Sequence, residues 1–242
     1  MSSGYTSEKV KRVLLKLSGE VLAGDKGFGY HDAVIDTLTD ELIAVQKLGY
    51  GLAIVLGGGN IFRGGSWKNR ELDRVVLDSI GMLATVQNAL YVSEILASKG
   101  IESEVLSSLA VDKVVARYSP QAAIQALNKG KICFLSGGTG NPYFTTDTAA
   151  VLRALEIKAD LVLKATKVDG LYSSDPVKDP QARFIPSASY QECLEKRLGV
   201  MDLTAFSLAA DQHLPLKIFN IAAPGSLVKA ITQADFGTYI HP

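Results

Sequence analysis

The segment Ser136-Gly-Gly-Thr-Gly-Asn-Pro-Tyr-Phe-Thr-Thr-Asp147 says most about the architecture of this chain. It follows the apolar run 131–135, which is typical of a buried strand, and precedes residues 148–155, which have a helical pattern. A glycine-rich turn that leads into a helix N-terminus exposes backbone N–H groups to an anion. Hydroxyl groups at that point can cap the helix and reach phosphate oxygens. The segment therefore predicts an anion site at the end of a strand.

A second loop of the same kind, Gly57-Gly-Gly-Asn60, follows the apolar strand pattern 52–56. Two such loops in one chain suggest two phosphate-bearing ligands, or the two ends of a phosphoryl transfer. The turn Ser18-Gly19 ends a further apolar run, 13–17. All three turns fall where strands end, which is where open parallel sheets bind ligands.

Strand and helix patterns alternate along the chain, and the strand patterns are continuously apolar. This predicts an α/β fold with a mainly parallel central sheet, covered by helices on both faces. The predicted strands are 13–17, 52–56, 104–106, 132–135, 161–165, 216–221 and a final edge strand at 237–240. The predicted helices are 34–48, 72–99, 148–158, 189–198 and 202–212, with others starting near 120 and 226, and residues 169–180 are predicted to form a loop.

The composition indicates a globular protein. Of 242 residues, 47% are hydrophobic and 21% charged, and 25 basic residues balance 25 acidic ones. This balance argues against a basic, nonspecific nucleic-acid protein and against a membrane-surface protein. The apolar segment 75–92 is interrupted by polar residues, which favours a buried or interface helix over a membrane span. With no signal-peptide pattern, we expect a cytoplasmic location.

We expect one domain over residues 11–242, preceded by a flexible tail over residues 1–10. Cys133 and Cys193 are far apart in the sequence, and buried free thiols are favoured over a disulfide. His31, His213 and His241 are isolated and are interpreted as surface or capping residues. The sequence has no P-loop, no dinucleotide-binding glycine motif and no cluster of metal ligands.

Four charged residues are candidates for chemistry, and each also has a simpler explanation. Lys16 ends a strand beside a glycine turn, where it could touch phosphate or only reach solvent. Arg63 follows the triple-glycine loop and could clamp phosphate or be a solvated loop residue. Asp147 and Asp202 both start helices, a favourable position for any acid. Among phosphates, Asp147 could also orient a lysine or position a magnesium shell.

Two further loops could contact a nucleotide. After the strand 161–165, Thr166 offers a hydroxyl, Tyr172 a ring face for a base and Asp175 an acceptor. The glycine-rich loop Gly24–Gly29 is either a surface turn or a phosphate contact that uses Lys26 and backbone N–H groups.

The sequence resembles the amino acid kinase superfamily, and within it the bacterial uridylate kinases, from about residue 11 to the C-terminus. The motifs that carry the resemblance are Lys16–Gly19, Gly57–Asn60, Thr139–Asp147 and Lys164–Gly170. The string Thr139–Asp147 is the most specific, and the loop Gly24–Gly29 and the segment Val200–Leu203 add to it. Tyr143 stands where phenylalanine is frequent, which is a conservative difference.

The resemblance implies transfer of the γ-phosphoryl group of ATP to UMP, with Mg²⁺ bound to ATP. The residues implied in catalysis are Lys16, Arg63, Asp147 and Asp202. Those implied to bind ATP are Lys16, Leu17, Ser18, Gly19, Gly59, Arg63, Thr166, Tyr172 and Asp175. Those implied to bind UMP are Gly58, Asp78, Thr139, Gly140, Asn141, Pro142, Tyr143, Phe144, Thr145 and Thr146. An allosteric GTP site is implied at Gly24, Asp25, Lys26, Gly27, Phe28 and Gly29.

The resemblance also implies a homohexamer, activated by GTP and inhibited by UTP. Two other classes stay open on the sequence: a kinase of the same superfamily that phosphorylates a carboxylate, and a non-catalytic nucleotide-binding protein of the same fold. The retention of Lys16 argues against the second.

Overall fold

The computed structural model describes residues 5–63, 71–196, 198–199 and 201–242. The strands are β1 (Arg12–Leu17), β2 (Gly51–Leu56), β3 (Ser103–Ser107), β4 (Ala116–Arg117), β5 (Ile132–Ser136), β6 (Leu161–Thr166), β7 (Leu171–Tyr172), β8 (Phe184–Ile185), β9 (Ser187–Ser189), β10 (Leu216–Asn220) and β11 (Thr238–His241). The helices are α1 (Glu20–Ala23), α2 (Asp32–Lys47), α3 (Arg74–Ser98), α4 (Pro120–Asn128), α5 (Thr146–Glu156), α6 (Tyr190–Glu195), α7 (Leu203–Asp211) and α8 (Ser226–Thr232).

The central sheet has the strand order β4-β3-β5-β2-β1-β6-β10-β11-β9. Its strand pairs are parallel except β10–β11, which is antiparallel. This confirms the predicted α/β fold with a mainly parallel sheet. The two halves of the sheet meet at β1 and β6, because β2 extends one half and β10 the other. Sheets of this kind bind ligands outside the carboxyl ends of the strands where the halves meet.

Both faces of the sheet are buried, which explains the continuously apolar strands. Along β1, Leu14 belongs to one core cluster, whereas Val13, Leu15 and Leu17 belong to the other. Helices α4, α5 and α7 cover the Leu14 face, and α2, α3 and α8 cover the opposite face. Residue 16 has the same parity as residue 14 and therefore lies on the α5 face of β1.

Two sequence predictions about the C-terminal half are wrong. The segment predicted as a final edge strand forms β11, but β9 pairs with it on the outside, so the edge strand is β9. A strand of only three residues has too little periodic pattern to be identified from sequence. The segment predicted as the loop 169–180 contains β7, which pairs with β8 in an antiparallel hairpin.

Helix α3 is buried on one side and exposed on the other. Ala89, Val92 and Leu96 are in the core, whereas Val76 and Leu83 are about half exposed. This agrees with the prediction of a helix that is apolar on more than one face. By length and hydropathy the helix could cross a membrane. In this fold it is one layer of the sandwich and packs against β3 and β5.

Within the segment 1–10 that was predicted to be a flexible tail, residues 1–4 lie outside the described residues. Tyr5 packs edge-on against Tyr239, its hydroxyl donates to the Ile231 carbonyl, and the Lys217 amine lies 4.2 Å from its ring centroid. The flexibility of the segment stays a prediction. Both cysteines are buried free thiols, as predicted.

Candidate active site

Two lysines lie side by side at the carboxyl end of the sheet. In the parallel pairing of β1 with β6, Lys16 is the register partner of Lys164. Each follows a run of apolar residues in its strand, and each side chain lies on the face that α5 covers. Two ammonium groups on neighbouring strands repel each other, so they need a shared counter-charge.

Asp147, in the first turn of α5, supplies this counter-charge. Its Oδ1 is 2.6 Å from the Lys16 Nζ, and its Oδ2 is 2.7 Å from the Lys164 Nζ. Burial alone would raise the pKa of Asp147, but the two ammonium groups lower it below its ordinary value. The pKa of Lys164 is lowered, mainly by burial and partly offset by Asp147. Asp147 bridges the two ammonium groups, and the Asp202 carboxylate also attracts that of Lys164. Two ammonium groups at the carboxyl end of the sheet suit an anionic ligand.

Asp202 holds the start of α5 from the neighbouring helix. As the N-cap of α7 it accepts a hydrogen bond from the Ala205 amide at 3.0 Å. Its carboxylate also accepts from the Thr145 hydroxyl at 2.5 Å and the Thr148 hydroxyl at 3.1 Å. The prediction that Asp202 starts a helix is confirmed, and the structure adds that it bridges two helix N-termini. Val200, in the same sequence motif, lies outside the described residues.

The glycine turns after β1 and β2 pack directly on each other. A Cβ atom on Gly19 would lie 2.5 Å from the Gly57 carbonyl oxygen and from the Asn60 Oδ1, so only glycine fits there. Behind this contact, the side chains of Asn60 and Asn88 are buried and hydrogen-bond to each other. Asn88, on α3, also donates to the Gly57 carbonyl at 2.7 Å. Helix α3 therefore fixes the position of the triple-glycine loop.

A cavity of about 380 Å³ lies beyond β2 and β5. Its lining includes six of the residues predicted to bind UMP: Gly58, Asp78, Asn141, Phe144, Thr145 and Thr146. The sequence reasoning missed the other lining residues, Phe62, Leu77, Gly81, Met82, Thr85 and Gly138, and it assigned Gly59 to ATP. Except for Leu77, the missed α3 residues lie at helical spacing from Asp78, and this spacing is visible in the sequence.

The remaining residues of the predicted UMP set shape the loop above this cavity. The Thr139 hydroxyl accepts from the Asn141 amide at 3.2 Å. Tyr143 has a φ of 71°, its amide donates to Asp78 Oδ2 at 2.7 Å, and the Arg74 guanidinium lies 4.7 Å from its ring centroid. Gly140 and Pro142 belong to the same loop.

A larger cavity, of about 570 Å³, lies beyond β1, β6 and β10. Thr166, from the predicted ATP set, lines it together with Glu20, Lys167 and Ile221. Gly24 and Asp25, which were predicted to bind GTP, also line this cavity. The two cavities thus lie beyond different strands of the sheet, and neither Lys16 nor Lys164 lines them.

Of the predicted ATP set, only Thr166 lines this cavity, and Gly59 lines the smaller one. The Arg63 guanidinium is 2.8 Å from Glu20 and donates to the Gly59 carbonyl at 3.0 Å. The arginine predicted to clamp phosphate is thus paired with a carboxylate in this structure. The Leu17 side chain is fully buried, which leaves only its backbone for a ligand. Tyr172 is in the β7–β8 hairpin, and Asp175 closes its turn by accepting from the Val177 amide.

The loop Gly24–Gly29 is tied to the triple-glycine loop. The Gly29 amide donates to the Asn60 carbonyl at 2.8 Å, and the Asn60 side chain donates to the Gly29 carbonyl at 2.9 Å. Lys26 donates to the Tyr30 carbonyl, and the Phe28 side chain is 70% exposed. The loop is well separated from the triple-glycine loop in sequence but hydrogen-bonded to it in space.

Among the described residues, no group of three or more His, Cys, Asp and Glu side chains could hold a metal ion. Asp147 is occupied by two lysines, and Asp202 by two hydroxyls and an amide. This donor set does not form a protein cage for Mg²⁺. It fits an ion that arrives with nucleotide phosphates and keeps much of its water shell.

Lys164 is the functional candidate that the sequence reasoning missed as an individual residue. It stands in the motif Lys164–Gly170, and its strand repeats the pattern of β1, in which three apolar residues are followed by a lysine. The repeated pattern was the available signal. Only the β1–β6 register shows that the two lysines are neighbours.

Comparison with known proteins agrees with this geometry. A model of the amino acid kinase family matches residues 11–220. The structure of a UMP kinase from Bacillus anthracis superimposes with a TM-score of 0.93 at 36% identity, over 96% of each chain. A UMP kinase from Ureaplasma parvum gives 0.90 at 33% identity, over 97% of this chain and 100% of that one. A uridylate kinase from Archaeoglobus fulgidus gives 0.72 at 27% identity, over 94% and 99%.

Proposed function

The chain belongs to the amino acid kinase family, and from this we propose that it transfers the γ-phosphoryl group of ATP to UMP, giving UDP and ADP. The observation that carries the proposal is the pairing of Lys16 and Lys164 through Asp147, with residues near all three in the chain lining the two cavities. Glu20 and Thr166, which follow these lysines along the chain, line the larger cavity. Thr145 and Thr146, which precede Asp147, line the smaller one.

The reaction needs little proton chemistry. A phosphate oxygen of UMP attacks the γ-phosphorus, and with a second pKa near ~6 this phosphate is largely ionised at neutral pH. The obstacle is the approach of two anions, so catalysis depends on positioning and on positive charge. Asp147 holds the two ammonium groups in place, and the N-terminus of α5 adds the positive end of its dipole.

We assign UMP to the smaller cavity, whose lining includes Gly58, Asp78, Asn141 and residues 144–146. We assign ATP to the larger cavity, with its phosphates directed to Lys16 and Gly19 and its nucleoside near Thr166, Tyr172 and Asp175. Arg63 would exchange Glu20 for a phosphate oxygen. Mg²⁺ bound to ATP would supply further charge neutralisation through its phosphate oxygens and waters.

Regulation and assembly are proposed on the family resemblance. GTP would activate the enzyme through Gly24–Gly29, UTP would inhibit it, and the chain would assemble as a homohexamer in the cytoplasm and serve pyrimidine nucleotide synthesis. The hydrogen bonds between Gly29 and Asn60 give the loop a direct route to the triple-glycine loop. If Lys26→Ala combined with Phe28→Ala leaves the GTP response unchanged, this loop is not the effector site.

A coupled assay of ADP release tests the reaction, with UMP, CMP, AMP and GMP as acceptors and with acetylglutamate, aspartate and glutamate as carboxylates. We expect UMP to have the highest kcat/KM. Comparable values for CMP would contradict the acceptor assignment, and turnover only on a carboxylate would favour the other kinase class. ATP binding without turnover on any acceptor would favour a non-catalytic nucleotide-binding protein.

Lys16→Ala tests the site. We expect kcat to fall by about 10²–10³, the usual effect of removing one charge-stabilising contact, with UMP binding retained. Lys11→Ala is the matched control, because Lys11 is exposed just before the opposite end of the same strand. A folded Lys16→Ala variant with near-normal kcat would refute the role.

A further inference from the structure

A buried arginine, Arg153 on α5, hydrogen-bonds to the loop 137–146 that borders the smaller cavity. Its side chain is 6% exposed. Its Nη2 donates to the Ser108 hydroxyl at 2.8 Å, to the Gly138 carbonyl at 3.3 Å and to the Thr139 carbonyl at 3.4 Å. One guanidinium group therefore contacts two consecutive carbonyls of the loop.

The guanidinium group is itself held rigidly. Its Nη1 is 2.5 Å from Glu156 Oε2, and the Tyr118 hydroxyl donates to the same oxygen at 2.6 Å. The guanidinium carbon lies 4.1 Å from the centroid of the Tyr118 ring. A planar guanidinium group with both terminal nitrogens hydrogen-bonded and one face packed on a ring has little freedom to rotate. It therefore sets the position of the carbonyls that it binds.

The loop needs such a support because its backbone is unusual. Gly137, Gly138 and Gly140 all have positive φ, with values of 76°, 59° and 82°. In a planar trans peptide the C=O group and the following N–H group point in opposite directions. With the Gly138 carbonyl turned toward Arg153, the Thr139 N–H group is turned away from α5. Ser108 adds a second tie, since its hydroxyl donates to the Gly138 carbonyl at 3.2 Å.

We propose that Arg153 is a positioning residue for the acceptor: it fixes the Gly138–Thr139 peptides so that the loop closes over UMP. This inference rests on the proposed function. Arg153 does not line either cavity, so it would act only through the loop. Its loop contacts are confined to the acceptor half of the sheet, so its loss should weaken UMP binding and leave ATP binding intact.

Arg153→Met, Arg153→Lys and Ser108→Ala test this in the full chain, with KM measured for each substrate and UMP affinity measured by calorimetry. For Arg153→Met we expect the KM for UMP to rise by about 10- to 100-fold and the KM for ATP to stay within about two-fold, as loop misplacement implies. Arg153→Lys keeps the charge but not the fork and should rescue only part of the loss. Ser108→Ala should shift the same parameter by a smaller factor.

Arg12→Met is the matched control. Arg12 also donates to a backbone carbonyl next to α5, that of Ile157, which caps the C-terminal end of the helix. We expect Arg12→Met to change the melting temperature without raising the KM for UMP relative to the KM for ATP. Equal rises in both KM values, or an unchanged KM for UMP in a folded Arg153 variant, would overturn the proposal. If Arg153→Met does not fold, Ser108→Ala and Arg153→Lys test the proposal through the same comparison of the KM for UMP with the KM for ATP.

The test of Arg153 can be distinguished from the test of UMP phosphorylation. A wild-type chain that binds UMP but does not phosphorylate it would contradict the reaction, and the calorimetric affinities would still test Arg153. A wild-type chain that does not bind UMP would contradict both the acceptor assignment and this inference.

Discussion

Lys164 is a residue of the candidate site whose protonation depends on its buried environment. Its amine lies in a largely buried position, and burial lowers its pKa while Asp147 partly restores it. A lysine of lowered pKa loses its charge at a lower pH than a lysine in water. Because an uncharged amine does not attract phosphate, the proposed transfer would require a protonated Lys164.

We therefore predict that kcat/KM decreases on the alkaline side at a pH below the ordinary lysine pKa of about 10.4. Lys164→Arg keeps its charge at every accessible pH and should move this decrease to higher pH, with a lower maximum because the guanidinium is larger. The measurement is a pH profile of kcat/KM with saturating UMP. A Lys11→Arg variant should follow the wild-type profile, and an unmoved alkaline limb in Lys164→Arg would exclude Lys164 as the titrating group.

Single residues of the site could be predicted to different degrees from the sequence. Lys16 and Asp147 each stand beside a glycine-rich turn, so local pattern was enough to identify them. The pairing of Lys164 with Lys16 depends on a strand register between segments about 150 residues apart, which local pattern does not contain. Arg153 looks like an ordinary helix residue until its partners Ser108 and Gly138 are located in space.

At the scale of elements, α3 is the support for both anion loops. Asp78 accepts a hydrogen bond from the Tyr143 amide, and Thr85 accepts one from the Gly137 amide. Asn88 donates one to the Gly57 carbonyl. Their spacing of seven and three places them on one face of the helix. The sequence predicted the helix and its extent, but not that one face of it holds the two loops.

Asn88→Asp should disturb this support. The carboxylate would face the Gly57 carbonyl and Asn60 Oδ1 with no proton to donate, and an unmet buried hydrogen bond costs about 1–3 kcal/mol. We expect a lower melting temperature and a lower kcat/KM for both substrates, since Gly58 and Gly59 follow Gly57. Asn128→Asp, at the far end of the sheet, makes the same chemical change as a control. Wild-type kinetics in Asn88→Asp would show that the loop does not need α3.

Strand β10 carries a second element-scale feature, the fully buried Lys217. Its amine donates to the Gln233 carbonyl after α8, and burial lowers its pKa to about 8. Between pH 8 and the ordinary lysine pKa, the unfolded chain therefore binds one more proton than the folded chain. Stability then rises with pH across this window, because the state that holds fewer protons is favoured.

Lys217→Met should remove this dependence. From pH 8 to about 10.4 the free energy of unfolding of the wild type should rise relative to the variant by about 3 kcal/mol in total. Urea unfolding at several pH values measures the difference. Parallel curves for the two proteins would mean that the folded state does not lower the Lys217 pKa.

At the scale of the whole molecule, the two cavities lie at the ends of different strands of one sheet. The larger cavity lies beyond β1, β6 and β10 and the smaller one beyond β2 and β5, and the paired lysines stand on β1 and β6. The alternating pattern of the sequence was sufficient for the fold class, because continuous apolar strands need helices on both faces. The strand order was not predictable, since very short strands such as β9 carry almost no pattern of their own.

The outer surface of α3 predicts how the molecule associates. Val76, Ile80 and Leu83 are spaced by four and three residues and are exposed by 55%, 39% and 49%, so they form one apolar stripe. We expect Val76→Glu combined with Leu83→Glu to reduce the mass measured by light scattering. Val177→Glu, at an exposed valine in the β7–β8 turn, should leave the mass unchanged. A wild-type chain that is already monomeric would contradict subunit contacts through α3.

Helix α3 carries this apolar stripe on one side and the loop anchors Thr85 and Asn88 on the other. If partner subunits hold the helix in place, mass action links the protein concentration to the catalytic rate. Dilution below the dissociation constant of the assembly would release the helix and loosen both loops, so turnover per chain would decrease although no active-site residue has changed. Progress curves started from a dilute stock would then show a lag that shortens as more enzyme is added, and UMP and ATP would shorten it further, because ligands that need ordered loops favour the assembled state.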